Sequence, residues 1–365
     1  MVLSRGTSRG ARPIVPVESQ TMTANGAQIR AHPHPRCLLC GAEGLVLYRE
    51  LEDRLFGAPG RWRMRRCPNP NCGILWLDPM PLPEDIGQAY QAYYTHAETK
   101  RDRNPHLQKL FNQVRSGYLA QRYGYPPEGR KMVQRLLGLL VRLHPARKAS
   151  LDFDVMHLPY RPAGKLLEVG CGSGKFLESM RRLGWHVEGV DFDPHAVKCA
   201  REKGLPVVLG TLENQRYPDG SFDAVVMSHV IEHVHDPEGL LRECRRILRS
   251  RGQITVVTPN AKSLGHRVFG ADWRGLEPPR HLQVFTPLAL RTLAEKAGFN
   301  RLRVSVTIRS AREICRASRS IRRGQLSPRC RILESVTAAA FHFAELGTSL
   351  VQPDAGEEIV LIAWK

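Results

Sequence analysis

The residues with the clearest chemistry are three glycines that follow an apolar run. Gly170, Gly172 and Gly174 are spaced G-x-G-x-G, with Glu168 two residues before them and Asp191 at the end of the next apolar run. Glycines let the backbone adopt positive φ and place no Cβ between the turn and a ligand that lies across it. A carboxylate in the position of Asp191 can accept hydrogen bonds from a ribose diol. The pattern therefore predicts a nucleoside-binding turn.

The spacing of these glycines distinguishes between nucleoside ligands. A dinucleotide-binding fingerprint has the form G-x-G-x-x-G, which would need a glycine at position 175, where the chain has Lys175. NAD is therefore the weaker choice. A tight turn in an α/β domain without a ligand is the alternative interpretation of the same residues.

A second group of candidates consists of histidines near the ends of predicted strands. His229 and His233 follow the apolar run 222–227, with Glu232 between them, and His281 lies in a later Pro-rich segment. A histidine can accept a proton from a hydroxyl nucleophile, or help to create an enolate-like carbon nucleophile. We therefore predict His229, His233 and His281 as catalytic candidates. The alternative for His233 is a structural histidine that is hydrogen-bonded to the backbone.

Four cysteines have the spacing of a metal site. Cys37 and Cys40 form a C-x2-C pair, and Cys67 and Cys72 form a C-x4-C pair further along the chain. Paired thiolates in two knuckles, each followed by a glycine, are typical ligands of a tetrahedral structural Zn²⁺. We predict a zinc-ribbon-like module with a small hairpin between the knuckles. Two unrelated buried or redox pairs are the alternative.

Predicted strands and helices position these residues. Strand, turn, helix and strand follow one another through the glycine segment. Two further strands are predicted near the end of the chain, at 301–308 and 357–364. Three helices are predicted to begin where an N-capping side chain precedes a proline at the first helical position: Asp193-Pro194, Asp236-Pro237 and Thr286-Pro287.

The motif E-V-G-C-G-S-G, which begins at Glu168, resembles the first motif of class I S-adenosylmethionine-dependent methyltransferases. The segments 222–234 and 251–260 resemble the fourth motif and the fifth strand of that family. The resemblance implies an α/β fold, a Rossmann-like seven-stranded sheet with its last strand antiparallel and helices on both faces. It also implies methyl transfer with S-adenosyl-L-methionine (SAM) as cofactor. The implied cofactor-binding residues are Glu168, Gly170, Cys171, Gly172, Gly174, Asp191, Phe192, Leu212 and Ser228.

The regions around this core carry a finer resemblance. A zinc ribbon, a Pro-rich exit at 77–83, a Tyr-rich helix at 84–94 and the W-x-G-L-x-P-P-R-H pattern at 273–281 are similar to bacterial enzymes that methylate sugars or polysaccharide precursors. This resemblance implies a small-molecule acceptor such as a nucleotide-linked sugar or a glycolipid precursor, whose phosphate Arg274 or Arg280 could hold. The alternative is an RNA or protein methyltransferase that grips its substrate through the ribbon and a basic surface.

The histidine cluster also invites comparison with ubiquinone O-methyltransferases. In that family the corresponding cluster is Glu-x-x-Glu-His, proposed to hold Mg²⁺. Here His229 stands at the first position, before Glu232 and His233. A histidine makes the ligand set softer, which puts a role for magnesium in doubt.

Composition constrains partners and location. The chain of 365 residues has a formal net charge of +19 and would attract nucleic acid, anionic lipid or phosphorylated substrates. Nucleic acid is less favoured, because the ribbon lacks interleaved aromatic residues and lysines and the chain lacks the Asn/Asp-Pro-Pro-Tyr/Phe motif of base-methylating enzymes. No apolar run is long enough to span a membrane, and the N-terminal segment does not have the pattern of a secretory signal. We therefore expect a cytoplasmic protein with reduced thiols.

Five regions are expected along the chain. A disordered leader (1–35) precedes the zinc-ribbon-like module (36–80) and a helical linker or cap (81–160). The methyltransferase core comprises 161–310 and 356–365. Between its last two strands, 311–355 is a basic helical insertion, either a solvated one or a lid or membrane-surface element that brings the enzyme to a lipid-linked substrate. The acceptor atom and the oligomeric state stay open.

Overall fold

The computed structural model describes residues 21–24, 27–90, 105–127, 138–139, 141, 144–324 and 331–365. The described strands are β1 (Thr21–Ala24), β2 (Ala27–His32), β3 (Leu45–Leu51), β4 (Trp62–Arg66), β5 (Leu75–Leu77), β6 (Met80–Pro81), β7 (Lys165–Val169), β8 (His186–Asp191), β9 (Val207–Leu209), β10 (Phe222–Ser228), β11 (Leu248–Pro259), β12 (Gln283–Val284), β13 (Arg301–Thr307) and β14 (Glu358–Trp364). The described α-helices are α1 (Pro105–Tyr123), α2 (Pro145–Phe153), α3 (Lys175–Arg182), α4 (Pro194–Glu202), α5 (Pro237–Ile247), α6 (Leu264–Phe269), α7 (Pro287–Lys296), α8 (Ala311–Arg323) and α9 (Arg331–Val351).

The central sheet has seven strands in the order β13-β14-β11-β10-β7-β8-β9. The five strands from β11 to β9 pair in parallel, and β14 lies antiparallel to both β11 and β13. Continuous apolar runs such as 224–227 form the inner strands, because helices cover both faces of a parallel sheet. The predicted seven-stranded sheet with an antiparallel last strand is confirmed.

Helices cover both faces of this sheet. Along β10, Val225 and Met227 point into one apolar core together with residues of α5 and α7. Ala224 and Val226 point into the other core together with residues of α3 and α4. Successive side chains of a strand point to opposite faces, so each face needs its own apolar cover. The α/β layering expected from the sequence is therefore confirmed.

The three predicted helix starts are observed as well. The side-chain oxygens of Asp193, Asp236 and Thr286 accept hydrogen bonds from backbone N–H groups of the first turns of α4, α5 and α7, at 2.8, 2.8 and 3.1 Å. A proline follows each cap at a position whose N–H the helix does not use. These caps fix where the helices leave the sheet edge that carries the site.

The N-terminal hairpin is joined to the rest of the molecule. The predicted hairpin between the cysteine knuckles is formed by β3 and β4, and it continues through β5 to β12 in one antiparallel sheet. Thr286 Oγ1 donates a hydrogen bond to the Cys72 carbonyl oxygen, and Lys296 Nζ donates one to the Leu39 carbonyl oxygen, both at 2.6 Å. The module that contains the cysteines therefore shares a sheet with a strand from the C-terminal half of the chain.

Part of the predicted disordered leader forms strands. β2 pairs antiparallel with β6, and Arg30 donates from its backbone N, Nε and Nη2 to the Asp85 carboxylate at 2.8, 2.8 and 3.0 Å. The expectation of disorder up to residue 35 is therefore wrong for the described residues 21–24 and 27–35, because β1 pairs with β2, and β2 and Arg30 find partners far away in sequence. Residues 1–20 lie outside the described part of the chain.

Two further segments were predicted to be helical. In the first, 84–94, the described residues form a short 3₁₀ turn at Ile86–Tyr90, and residues 91–94 lie outside the described ranges. The insertion between the last two strands consists of α8 and α9, which pack against each other. Among the described helices, none has the length and apolar character needed to cross a membrane.

Candidate active site and cysteine cluster

The glycine turn lies at the carboxyl end of β7, at the middle of the sheet. Gly170, Gly172 and Gly174 have φ values of 70°, 52° and 73°, a region that favours glycine. A Cβ on Gly170 would collide with the Val230 side chain. The Asp191 Oδ2 accepts a hydrogen bond from the Gly172 N–H at 2.7 Å, so the acid at the end of β8 holds the turn directly. The turn thus presents bare backbone next to a carboxylate.

Glu168 is the second acid at this turn. Its side chain lies at the end of β7 and is 8 % exposed. Its Oε2 has no hydrogen-bond partner. Burial, and then the neighbouring charge of Asp191, raise the pKa of Glu168 well above its usual range. A buried polar atom without a partner is costly unless a ligand satisfies it, so Glu168 marks a position for a hydrogen-bond donor.

The other predicted cofactor contacts have different environments. Cys171 and Leu212 are buried, with 6 % and 1 % of their surface exposed. Ser228 is half-buried at the end of β10. The Phe192 ring is 54 % exposed and contacts the edge of Tyr90, with 5.2 Å between the ring centroids. Phe192 therefore offers an apolar surface beside Asp191, and the roles of all four residues stay predictions.

His229 is held between two carboxylates. Its Nδ1 is 3.1 Å from Glu232 Oε1, and its Nε2 is 3.1 Å from Glu358 Oε1. Burial acts against a charge on this ring, but the hydrogen bonds to Glu232 and Glu358 outweigh it and raise the pKa of His229 to about 9. Both nitrogens donate when the ring is protonated. The geometry therefore favours a structural imidazolium, which has no lone pair for a substrate proton.

The carboxylates around His229 connect it to other elements. Glu232 Oε2 accepts a hydrogen bond from Thr258 Oγ1 at 2.9 Å. Glu358, the first residue of β14, also accepts from Ser310 Oγ at 2.8 Å and pairs with Arg309 at 2.6 Å. Burial opposes its ionisation, yet the His229 hydrogen bond and Arg309 lower the pKa of Glu358 to about 2. These hydrogen bonds connect the end of β10 to residues 309–310, which immediately precede the helical insertion.

His233 and His281 lie side by side, with 4.7 Å between their ring centroids. The Nδ1 of His233 is 2.9 Å from the Arg280 carbonyl oxygen, and the Nδ1 of His281 is 2.8 Å from the Gly275 carbonyl oxygen. A carbonyl oxygen only accepts, so each Nδ1 donates and each Nε2 keeps its lone pair. Burial lowers the pKa of both histidines, for His281 well below its usual range. Both rings are therefore neutral proton acceptors.

Glu232, His233 and His281 also form a group that could hold a metal ion. One ligand atom each from Glu232, His233 and His281 lies within 4.8 Å of the other two. Both histidines already donate through Nδ1 to backbone carbonyls, which is the orientation that metal-binding histidines adopt. The Tyr90 hydroxyl, 3.0 Å from His233 Nδ1, closes the other side of the cluster.

Arg280 does not face a substrate. Its side chain is fully buried, with Nε on Glu277 and Nη2 on Asp53, each at 2.8 Å, and Nη1 on the Ala89 carbonyl oxygen at 2.9 Å. The expectation that Arg280 holds a phosphate is therefore wrong, because the guanidinium has exchanged solvent for two buried carboxylates. Arg274 pairs with the same Glu277. Arg280 therefore connects the hairpin module, through Asp53, to the segment that carries His281.

The four predicted cysteines come together in space. Cys37 Sγ is 3.7 Å from Cys72 Sγ, and Cys40 Sγ is 3.4 Å from Cys67 Sγ, with all four sulfurs within 4.8 Å of one another. Zn–S bonds of about 2.3 Å in a tetrahedron place sulfurs about 3.8 Å apart. The sulfur separations therefore match a tetrahedral four-thiolate shell.

Comparison with known proteins identifies the fold family. Residues 130–304 match the family model described as a methyltransferase domain. A ubiquinone biosynthesis O-methyltransferase from Chromobacterium violaceum is 32 % identical over 170 residues, which cover 43 % of this chain and 72 % of the relative. The chain belongs to the class I S-adenosylmethionine-dependent methyltransferases. Its first motif, sheet order and antiparallel last strand fit this membership.

Other relatives and solved structures are similar to this methyltransferase. A ubiquinone biosynthesis O-methyltransferase from Xanthomonas oryzae pv. oryzae is 37 % identical over 147 residues, so the chain spans 61 % of its length and the match covers 38 % of this chain. Among solved structures, a SAM-dependent methyltransferase from Archaeoglobus fulgidus has a TM-score of 0.41 at 20 % identity, covering 61 % of this chain and 94 % of that one. Phosphoethanolamine N-methyltransferase 2 from Haemonchus contortus, in complex with SAM, has a TM-score of 0.43 at 13 % identity, covering 95 % of this chain and 71 % of that one.

Sequence reasoning missed several residues at this site. Glu358 contacts His229, and Asp53 contacts Arg280, from positions remote in sequence. Glu277 contacts Arg280 from three residues away. A usable signal existed for Glu358, because two glutamates open a strand that is otherwise apolar. Asp53 lies in a polar loop and carries no such signal.

Proposed function

We propose that this methyltransferase transfers a methyl group from SAM to an oxygen of a small-molecule acceptor. The observation that carries the proposal is the turn between Glu168 and Asp191, where bare backbone lies beside two acids. The O-methyltransferase names of the curated relatives support oxygen as the acceptor atom. When bound, SAM supplies an electrophilic methyl group on a sulfonium.

The residues present fit SAM. The unpartnered Glu168 Oε2 would accept from the amino group of its amino-acid end. The Asp191 carboxylate, which already accepts from the Gly172 and Asp193 N–H groups, would also accept from the ribose hydroxyls. The absence of a Cβ at Gly170 leaves room for the Val230 side chain, which packs against the turn at that point. Phe192, exposed beside Asp191, would flank the adenine.

We assign proton acceptance to Nε2 of His233. A hydroxyl acceptor loses its proton as it attacks, and a neutral imidazole with a free lone pair can take it. His233 meets this condition because Nδ1 donates to the Arg280 carbonyl oxygen. His281 meets it as well, but its Nε2 lies 3.5 Å from Glu277 Oε2. In this scheme the positively charged His229 ring holds the Glu232 carboxylate in place. His229 is not the base.

The aromatic residues near the histidines restrict the class of methyl acceptor more than the net charge of the chain does. His233 lies beside Tyr90, which in turn contacts Phe192, and these aromatic rings suit a flat ring or a sugar face. The sugar, nucleotide-sugar or polysaccharide precursor predicted from the flanking motifs stays a candidate, beside the hydroxylated intermediates that the names of the ubiquinone relatives indicate.

We also propose that Cys37, Cys40, Cys67 and Cys72 hold a structural Zn²⁺. The sulfur separations support four thiolate ligands with no position left for water. The cluster lies in the sheet that reaches β12, two residues after His281. Zinc would therefore stabilise the segment that carries the histidine pair, without entering the chemistry.

Calorimetric titration with SAM tests the cofactor proposal. The wild type should release or absorb heat on binding, and Asp191→Ala should weaken binding by on the order of tenfold to a hundredfold, since charged hydrogen bonds are lost. Glu202→Gln, at an exposed acid on α4, is the matched control and should bind as the wild type does. An absence of SAM binding by the folded wild type would refute the proposal.

Transfer of radiolabelled methyl groups to a panel of acceptors tests the reaction. Hydroxylated aromatic rings and nucleotide sugars should be compared side by side. His233→Gln should lower kcat with little change in the affinity for SAM, and should abolish the acidic limb of the pH profile that reports a histidine base. Equal activity of wild type and His233→Gln across the pH range would exclude His233 as the base.

A further inference from the structure

The outward side of α9 is apolar. Val336, Phe343, Leu350 and Val351 are 59 %, 65 %, 80 % and 81 % exposed. The first three are seven residues apart, so they lie on one side of the helix. The exposed positions between them are Ala340, Ala344 and Gly347. This stripe, the outer face of α9, is a continuous apolar strip on a helix of 21 residues, and such strips mark interaction sites.

The neighbouring helix α8 is basic. It contains five arginines and one acid, Glu313. Arg322 and Arg323 have carboxylate partners in Asp272 and Glu334. Within the described part of the chain, Arg312, Arg316 and Arg319 have no carboxylate partner; they are spaced at i, i+4 and i+7 on one side of the helix.

The apolar and basic strips belong to one surface. The inner sides of both helices contact Phe269: the Arg322 guanidinium lies 5.0 Å from its ring centroid, and the Phe341 ring centroid lies 5.8 Å away. At the other end of α8, burial and then the nearby Arg312 lower the pKa of His342, the neighbour of Phe343. The two helices therefore pack side by side, so the arginines of α8 lie on the helix next to the one that carries the outer apolar face.

We propose that this surface docks the protein onto an anionic lipid membrane. A helix with an apolar side can lie in the headgroup region, and nearby arginines gain from the negative surface potential. A second copy of the chain is a poorer occupant, because it would bring the same unpaired arginines to the interface. An anionic bilayer supplies both the apolar layer for Phe343 and Leu350 and the counter-charge for Arg312 and Arg316.

The docking surface adjoins the candidate active site. Arg309 and Ser310, immediately before α8, contact Glu358, and Glu358 contacts His229. A membrane-docked molecule would thus hold the rim of the site near the bilayer. This placement suits an acceptor that partitions into lipid, although docking itself does not depend on methyl transfer.

Vesicle co-sedimentation of the full chain tests the proposal. The wild type should sediment with vesicles of phosphatidylcholine mixed with phosphatidylglycerol, and not with phosphatidylcholine alone. Phe343→Ser with Leu350→Ser, and separately Arg312→Gln with Arg316→Gln, should each weaken this binding by on the order of tenfold or more. Added salt should weaken the wild type but have less effect on the arginine variant.

Matched controls test whether binding depends on this surface or only on the net charge and the exposed apolar area of the protein as a whole. Val208→Ser changes an exposed apolar residue on β9, the opposite edge strand of the sheet. Arg36→Gln with Arg251→Gln removes two exposed cations elsewhere. Both controls should bind as the wild type does, and circular dichroism should show that all variants are folded.

Three results would overturn the proposal. The first is sedimentation with neutral and anionic vesicles alike, and the second is equal loss of binding in the controls. The third is a dimer in light scattering that Phe343→Ser with Leu350→Ser converts to a monomer, since the outer face of α9 would then be occupied by a second copy.

Discussion

Replacing His229 with glutamine should change how the stability of the protein depends on pH. In the wild type the ring lies between Glu232 and Glu358, at 3.1 Å from each. Glutamine keeps a polar side chain of similar reach but cannot carry a positive charge. The difference in unfolding free energy between wild type and His229→Gln therefore measures what the protonated ring contributes at each pH.

The pKa of His229 sets the size and direction of this effect. A rise from about 6.5 in the unfolded chain to about 9 in the folded protein corresponds to about 3.4 kcal/mol. The side chain is 40 % exposed, so solvent screening reduces this to about 1–2 kcal/mol. Because the folded pKa is the higher one, the contribution is fully present below about pH 6.5 and is lost as the pH rises through about 9.

Urea unfolding of both proteins at pH 6 and at pH 9.5 tests this reasoning. The advantage of the wild type over His229→Gln should be larger at pH 6 by about 1–2 kcal/mol. Titrating groups that do not contact residue 229 change both proteins alike and cancel in the difference. An advantage that is the same at both pH values, or larger at pH 9.5, would show that the folded ring is not an imidazolium.

Three further predictions concern the turn, the cysteines and the buried arginine. Gly170→Ala should abolish SAM binding in calorimetry, whereas Gly204→Ala, with a similar φ of 67° but open space around it, should preserve it; equal effects would mean that backbone strain alone matters. Metal analysis should find one zinc per chain, lost in Cys40→Ser and kept in Cys199→Ser, and a metal-free wild type would contradict the zinc proposal. Arg280→Leu should cost about 3–5 kcal/mol in denaturant unfolding, because two buried carboxylates lose their partner, and a loss below about 1 kcal/mol would argue against that ion-pair cluster.

The sheet and the glycine turn were predictable because their signals are local. An apolar run that ends in closely spaced glycines determines strand and turn within ten residues, and the Asp-Pro and Thr-Pro pairs determine the helix starts in the same way. The positive φ angles at Gly170, Gly172 and Gly174 follow from residue type alone.

The parts that sequence reasoning missed depend on partners far away in the chain. One example is the pairing of β12 with β5. Another is the burial of Arg280 between Asp53 and Glu277. Both arise only when the chain has folded. Charged residues are usually exposed, so an Arg-His pair next to prolines was expected to face a ligand. Glu358 was missed for the same reason, because its partners His229, Arg309 and Ser310 come from two segments that are distant from it in sequence.

The pairing of β5 with β12 has a practical consequence for dissecting the protein. A shortened chain that began after the cysteine module would leave Gln283 and Val284 as an open strand edge and would uncover Leu282, whose backbone oxygen accepts from the Leu77 N–H. It would also remove Asp53 from Arg280. The segment that family comparison recognises, 130–304, therefore lacks both the strand and the carboxylate that hold the histidine-bearing segment in place.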